Sequence, residues 1–415
     1  MHRNTGLQTC RGSPKVAVLD TVHGAGIVAQ RMLDSGMDAQ AFEVYHSSPS
    51  LECFDLIVSP VHLGPGNPAL AKARRLGKRI ITHHQAVGEL LHPNLTVFEV
   101  TGTHSKTSTA LLLSKIISGK KRVVSHTTRG IELWSNGSSR VVQVGLSITP
   151  GNVIRAVEAA ETNLADCLVC EVSLGGTGLA DFGVLTSFSG DYRIAQGTAW
   201  ASTAKLQMVT LAKEGSRIVA NADVKISPDV SFGQEGVVWA TPDKLHFGDE
   251  AVGLELDRDL DYPGYETAIS AAAAACHASG LGKEEIAAGL EGFDGFVGRM
   301  KVTREYGLEI YDSSNSGLKV SDVERALDRI SSGRIGLVVG EESETVCEGM
   351  DVPRLIDLLR LRRSEIDQLV LVGDRMAPWA VDLEAKIAPD LAAGVEIARA
   401  SGRIDRLLSC VKCFR

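Results

Sequence analysis

No apolar run in this 415-residue chain reaches the ~18 residues that span a bilayer. The opening MHRNTGLQTCRGSPK has no apolar core of the kind a signal peptide carries, so the chain is expected to be cytoplasmic. Positive charge is also short. Lysine and arginine number 43 against 51 acidic residues, for a net charge of −8, and aromatics make up 5% of the chain. A nucleic-acid surface needs a basic stripe, usually with aromatics between the cations, and none is present. Neither nucleic acid nor membrane is an expected partner. Repeats, low-complexity tracts and long charge runs are missing too, which argues against solenoids and charged tails.

Cysteine is sparse. Eight residues scattered over this length do not frame a disulfide scaffold, and reduced thiols are expected. Two pairs have C-x-x-C spacing. Cys167 and Cys170 lie in ADCLVCEVSL, which reads as a buried strand. Strand residues i and i+3 face opposite sides, so the two sulfurs are poorly placed to grip one metal. Cys410 and Cys413, in the terminal LLSCVKCFR, suit a metal site, a thiol pair, or simply a tail beside a helix.

What is present is an α/β pattern. Hydrophobic residues make up 44% of the chain, and single domains stop growing near ~250 residues, so two or three domains are expected. Residues 1–14 read as a flexible N-terminus. KVAVLD, a glycine turn at HGAG and the helix-like IVAQRMLDSG begin a small parallel, Rossmann-like domain over 15–94, which continues through AQAFEVY, FDLIVSP, PALAKARRLG and KRIITHH. HGAG alone is weak evidence for a dinucleotide, since the full G-x-G-x-x-G spacing is missing. A central α/β domain over 95–298 opens with TVFEVTG. Its strands are expected in RVVQVGL, DCLVCEV, FGVLTSF, SRIVANAD and GVVWATP, and its helices in GNVIRAVEAAETN, TAWASTAKLQMVTLAKEG and YETAISAAAAACHASG. A third α/β domain, 299–415, starts with a hairpin in KVTREYGLEIYDSS and adds the helix VSDVERALDRI and parallel strands in RIGLVVG and QLVLVGD.

The segment VFEVTGTHSKTSTALLLSKII carries the chemistry. A phosphate loop needs backbone N–H groups at a helix N-terminus, a lysine for the terminal phosphates and a hydroxyl for Mg²⁺. Strand, Gly102, Lys106, Thr107 and helix follow in that order, but Ser105 stands where the second glycine of G-x-x-x-x-G-K-[ST] belongs. On spacing alone, a structural turn with a solvated lysine competes with nucleotide binding.

Loop, flanks and later segments together resemble the Mur ligase family of three-domain ATP-dependent ligases, in order and over essentially the whole chain. TGTHSKTST matches the family loop T-G-T-[NH]-G-K-T-[ST]-T at every position except Ser105. CEVS supplies a strand-end Glu171 and Ser173, Ala204-Lys205-Leu-Gln-Met fits the helix whose lysine is carbamylated, and Asn221, Ala222 and Asp223 match N-A-D. GFVGRMKV supplies Arg299, and IYDSSNSG supplies Asp312. The resemblance implies ATP bound by Gly102, Thr103, His104, Ser105, Lys106, Thr107 and Ser108, with Asn221, Arg299 and Asp312 at the nucleotide. It implies Mg²⁺ held by Thr107, Glu171 and carbamylated Lys205, and catalysis by Lys106, Lys205 and Glu171. The implied reaction moves the γ-phosphate to a carboxylate, and a nucleophile then attacks the acyl phosphate.

Three departures stand out. Tyr192, after Asp191, replaces a histidine that holds the second metal, Glu266 replaces an asparagine near adenine, and Ser313 and Ser314 replace the tail of a DSK motif. Nine of the eleven histidines fall at or before His126. The pattern V-x-D-x-x-H-G-A at Val18 to Ala25, the T-H-H at Thr82 to His84 and the short first domain resemble the methanogen branch of the family. That likeness implies a nickel tetrapyrrole carboxylic acid as substrate, ring closure through an activated propionate, and His23, His83 and His84 as substrate contacts. An amide ligase joining an amino acid to a carboxylate, and a Mur-like protein that binds without catalysis, remain open alternatives. Oligomeric state is not legible.

Overall fold

The computed structural model describes residues 14–305, 307–330, 333–342, 349–402 and 404–413. The expectation of a flexible segment over 1–14 therefore falls, but for Pro14, outside the described residues. The chain packs as two units. Unit 1 runs up to Val238 and includes Ala271–Leu281, and unit 2 takes Trp239–Ser270 and everything from Gly282 on.

Unit 1 begins with β1 (Lys15–Leu19), α1 (Ala25–Asp34), β2 (Asp38–Phe42), β3 (Leu56–Ser59), α2 (Pro68–Arg75), β4 (Arg79–Thr82) and α3 (His83–Leu90). The four strands form a parallel sheet in the order β2-β1-β3-β4. Alternation along β1 divides its side chains between two cores, as the two-residue period of a strand requires. Ala17 and Leu19 pack with Ile57, Leu70 and Ala73 on the α2 side, and Val16 and Val18 face α1 and α3. Asn67 caps α2 by accepting from the N–H groups of Ala69 and Leu70, with Pro68 in the first turn, where its missing N–H costs nothing.

Next come β5 (Thr96–Thr101), α4 (Lys106–Ile117), β6 (Val123–Thr127), β7 (Gly130–Ser135), β8 (Ser138–Gln143), α5 (Pro150–Thr162), β9 (Cys167–Glu171) and β10 (Phe182–Leu185). After these lie the short β11 (Arg193–Ile194), β12 (Ala199–Trp200), α6 (Ala201–Lys205) and α7 (Gln207–Thr210), then β13 (Arg217–Asn221), β14 (Val230–Phe232) and β15 (Val238–Ala240). The strands run in the order β14-β13-β10-β5-β9-β6-β7-β8, parallel from β14 to β6 and antiparallel beyond. Val153, Ile154, Val157 and Ala160 of α5 join Val28, Met32, Val87 and Leu90 of α1 and α3, and Leu168 and Cys170 of β9, in one hydrophobic cluster. The small sheet and the strands around β5 thus share a core.

The remaining elements are β16 (Lys244–Phe247) and β17 (Glu250–Gly253), an antiparallel pair, then α8 (Tyr262–Ala278), α9 (Lys283–Leu290), β18 (Lys301–Glu305), β19 (Leu308–Asp312), α10 (Val320–Arg329), β20 (Ile335–Glu341), α11 (Val352–Leu361), β21 (Gln368–Val372), β22 (Lys386–Ala388), α12 (Leu391–Arg399) and β23 (Arg406–Lys412). The last sheet has the order β18-β19-β23-β20-β21-β22. The expected hairpin is β18 and β19, paired antiparallel from Lys301↔Asp312 to Glu305↔Leu308.

Three local expectations are corrected. TAWASTAKLQMVTLAKEG is not one helix but a two-residue strand followed by α6 and α7, broken at Leu206. Gln207 Nε2 donates to the Ala204 carbonyl, competing with the helical ladder, and the Val209 N–H turns to the Leu206 carbonyl. The histidines of KRIITHH do not extend a strand. Thr82 caps α3 by accepting from the Gln85 N–H, and His83 opens the helix. The terminal LLSCVKCFR is no tail beside a helix, because β23 lies between β19 and β20. Cys410 and Cys413 fall in the clusters on opposite faces of that sheet, so they cannot converge on one ion. Among the described residues no helix is long and apolar enough to cross a membrane.

Candidate active site

β5 delivers Gly102 to the carboxyl edge of the sheet with φ +146°. A Cβ there would lie 2.0 Å from Thr186 Oγ1, so only glycine fits. The Thr186 hydroxyl sits 3.2 Å from the Thr101 carbonyl and 2.5 Å from that of His104, while the Thr103 N–H donates to the Ser187 carbonyl at 2.9 Å. The loop is thereby tied to the end of β10. Ser105 precedes α4 with φ 60° and ψ 3°, the left-handed conformation that a glycine would adopt, and its side chain makes no capping hydrogen bond. A left-handed residue leading into a helix turns successive N–H groups to one side, which is the geometry that cradles an anion. Lys106, Thr107 and Ser108 form the first turn of α4.

The two residues expected to hold the metal meet just behind. Register places Val100 of β5 opposite Glu171 of β9, so Glu171 reaches the loop from the neighbouring strand. Thr107 Oγ1 donates to Glu171 Oε2 at 2.8 Å, and the Thr128 N–H lies 3.4 Å from the same oxygen. Two oxygens bound side by side to octahedral Mg²⁺ at ~2.0–2.1 Å stand ~2.9 Å apart, so this pair has the spacing the ion needs. Both residues are buried.

Lys205, on α6, is 1% exposed and donates from Nζ to the Ser173 carbonyl at 2.6 Å, two residues beyond Glu171. Asp191 fixes this helix. Its carboxylate accepts from the Ser202 N–H at 3.0 Å and from the Ser202 hydroxyl, both on the first turn of α6. Gln207 bridges the Leu174 carbonyl and the Thr82 hydroxyl, which joins the site to α3. Asn221 closes the edge, with Nδ2 3.1 Å from the Thr186 carbonyl and Oδ1 accepting from the Asp223 N–H. Gly102 to Ser108, Glu171, Lys205 and Asn221 all lie in unit 1. Arg299 and Asp312 belong to unit 2, where Asp312 accepts from the N–H groups of Gly298 and Ser314 and from the Ser409 hydroxyl.

The histidines divide into two kinds. His23, after β1, places Nδ1 2.7 Å from Asp20 Oδ2, and His62, after β3, places Nε2 3.1 Å from the same oxygen. Tyr45, after β2, donates its hydroxyl there at 2.8 Å. Burial alone would raise the Asp20 pKa, but hydrogen bonds from His23, His62 and Tyr45 outweigh it and hold the carboxyl well below the usual range. His83 and His84 are buried, not exposed to a pocket. His83 meets the Leu19 carbonyl at 2.9 Å, and neither ring nitrogen of His84 has a partner among the described residues. Burial pushes these imidazoles down to about 4 and about 3, and for His84 the charges of His83, Lys205 and His62 add to the effect. His84 therefore lies within electrostatic reach of both Lys205 and the His62 cluster. Sequence reasoning carried Asp20 and His23 inside a motif, but Tyr45 and His62 had no local signal. Thr186 and Gln207, which shape the loop and anchor the lysine helix, were likewise unmarked.

Comparison with known proteins is consistent along the chain. Residues 302–413 match the family model described as coenzyme F430 synthetase CfbE, C-terminal domain. The sequence is 34% identical to the coenzyme F(430) synthetase of Methanosarcina acetivorans, covering 97% of this chain and 99% of that one. A UDP-N-acetylmuramoylalanyl-D-glutamyl-2,6-diaminopimelate–D-alanyl-D-alanyl ligase from Acinetobacter baumannii has a similar fold, at TM-score 0.57 and 16% identity over 94% of this chain and 96% of that one. So does a folylpolyglutamate synthase/dihydrofolate synthase from Yersinia pestis, solved with AMPPNP and Mn, at TM-score 0.55 and 18% identity over 79% of this chain and 89% of that one.

Proposed function

Because the chain belongs to the coenzyme F430 synthetase family of Mur-type ligases, we propose that it uses ATP to activate a propionate carboxylate of a nickel tetrapyrrole acid and closes that side chain onto the macrocycle. The observation that carries this reading is the Thr107–Glu171 oxygen pair behind a left-handed turn at Ser105. It is a phosphate cradle with the ligands for a hard cation attached.

Lys106 and the first-turn N–H groups of α4 orient the terminal phosphates. Mg²⁺, when bound, neutralises charge on the transferring phosphoryl group. Thr107 and Glu171 would hold it, and Lys205 would do so as a carbamate. The family chemistry already favours such a modification, and the burial of Lys205 beside Ser173 supports it, because a buried ammonium is costly and conversion to a carboxylate joins it to a cation. The substrate carboxylate oxygen attacks the γ-phosphorus and ADP leaves. A ring carbon then attacks the acyl carbon, phosphate leaves, and the carbon's proton passes to solvent or a base.

Domains over 15–94, 95–298 and 299–415 would divide the work, with substrate binding in the first, ATP binding in the second, and Arg299 and Asp312 of the third serving the nucleotide. His23 faces the substrate, with His83 and His84 supporting its pocket from behind. An amino-acid acceptor is not favoured. Ser314, at the position of the DSK lysine, is buried, and its hydroxyl accepts from the Val411 N–H.

The test is incubation of the full chain with ATP, Mg²⁺ and the nickel tetrapyrrole acid. ADP release with a change in the macrocycle absorption spectrum, without any amino acid, is expected. Turnover only with an added amino acid would point to an amide ligase. Nucleotide binding without ADP release for any acid would point to a binding protein.

A further inference from the structure

The strand order β2-β1-β3-β4 reverses direction of winding between β1 and β3. In parallel α/β sheets the crevice at the carboxyl ends of the strands flanking such a reversal is where ligands enter. Asp20 and His23 follow β1, and His62 follows β3, so the cluster lies at that crevice.

Hydrogen bonding alone does not account for its geometry. Asp20 Oδ1 accepts from the N–H groups of Val22 and His23 at 3.2 Å each. On Oδ2 converge His23 Nδ1 at 2.7 Å, Tyr45 OH at 2.8 Å and His62 Nε2 at 3.1 Å. A carboxylate offers about four lone-pair sites, two on each oxygen. Three donors on Oδ2 exceed its capacity, and if one ring nitrogen is instead bare, its lone pair points at an anionic oxygen. The two ring nitrogens are also 3.3 Å apart, and Tyr45 OH is 3.4 Å from His23 Nδ1. A cation at the centre resolves every one of these contacts at once.

We infer that Asp20 Oδ2, His23 Nδ1 and His62 Nε2 form a binding site for a divalent first-row transition-metal ion, with the Tyr45 hydroxyl beside it. Two imidazoles and one carboxylate select such an ion over Mg²⁺ or Ca²⁺, which prefer all-oxygen sets. Bonds of ~2.0–2.2 Å at tetrahedral or octahedral angles separate neighbouring ligand atoms by ~2.8–3.6 Å. The observed 2.7, 3.1 and 3.3 Å reach those values with shifts of a few tenths of an ångström. Asp20 is fully buried and clamped through Oδ1, so one ligand is fixed in advance, while His23 and His62 remain 24% and 28% exposed at the crevice. The three ligand atoms converge on one point. Such convergence suits an ion with at least three free positions, so the site takes a free ion and does not depend on the tetrapyrrole reading. Three protein ligands leave further positions open to water or a carboxylate.

The test uses full-length protein stripped with chelator and titrated with Co²⁺ under saturating Mg²⁺, the ion proposed for the Thr107–Glu171 oxygens. One equivalent of Co²⁺ is expected to bind with visible d–d absorption, and His62→Ala and Asp20→Asn should each weaken it by ~10-fold or more. Tyr45→Phe should change it much less. If either ligand variant fails to fold, X-ray absorption on the cobalt-loaded wild-type protein decides, because imidazole scattering with nitrogen and oxygen neighbours is required. No stoichiometric uptake, uptake indifferent to both substitutions, or sulfur in the first shell would overturn the assignment.

Discussion

Replacing Ser105 by glycine should stabilise the ligand-free protein. At φ 60° and ψ 3° its Cβ crowds the backbone, a conformation that costs an L-residue roughly 1–2 kcal/mol. Glycine removes that cost but adds about 0.5–1 kcal/mol of unfolded-chain freedom. A helix-capping serine normally contributes about 1 kcal/mol through its hydroxyl, yet here no capping bond exists to be lost. The balance is a gain of about 0.5–1 kcal/mol for Ser105→Gly. Ser105→Ala keeps the Cβ and the strain, and should lie within about 0.5 kcal/mol of wild type. Urea denaturation without nucleotide, read through the midpoint at constant m-value, separates the two. If Ser105→Gly proves no more stable than Ser105→Ala, the strain argument is wrong. The same pair tests the hydroxyl. A bond from it to a charged phosphate is worth about 1.5 kcal/mol, so both variants should bind ATP about tenfold more weakly. Tighter binding by Ser105→Gly alone would show that only the backbone matters.

Glu171→Gln should raise the Mg²⁺ concentration for half-maximal ATP turnover by ~10-fold or more, and an unchanged requirement would remove Glu171 from the metal site. Lys205→Ala should lose most activity and regain part of it with added formate or acetate. Complete indifference to short carboxylates would count against a carbamate. Lys106→Ala should abolish ADP release while leaving the denaturation midpoint near wild type; near-normal turnover would sink the loop assignment. Acid should unfold the protein through its buried imidazoles. His83, His84 and His126 are pushed by burial to about 4, about 3 and about 4 in the fold, against 6.5 as the ordinary value. The unfolded chain therefore holds more protons below 6.5, so their contribution is complete above that pH and lost as pH falls toward 4. Between pH 6.5 and 5 this amounts to about 1.6 kcal/mol per imidazole, and a denaturation midpoint that stays flat over that interval would contradict it.

How far the chain could be read in advance depended on whether its signals were local. β1, β5, β9, β20 and β21 announce themselves as apolar runs at turns. The order of Gly102, Glu171 and Asn221 at strand ends was legible, and the register of β5 with β9 and β10, and of β10 with β13, brings those ends to one edge. Ser105 was legible as an anomaly but its conformation was not, because the ties from Thr186 and Ser187 that hold the loop come from more than 80 residues away. The break at Leu206 was hidden for a similar reason, since the Gln207 side chain that helps cause it is anchored to Leu174 and Thr82. β23 went unread because a central strand at the end of a chain lacks a following turn to mark it. His62 and Tyr45 reach Asp20 only through the winding of the small sheet, across 42 and 25 residues.

The cluster that joins α5 to α1 and α3 bears on how such a protein can be recombined. Val153, Ile154 and Val157 each bury a side chain worth about 1.5–3 kcal/mol against helices that follow strands of the small sheet. A cut near residue 94 would strip α5 of that cover and leave an apolar face on both fragments. Grafting the small sheet from a relative with another substrate would mismatch the same surface. The exchangeable module is the sheet together with α5, and a hybrid that carries both should express as soluble protein where one that carries the sheet alone aggregates.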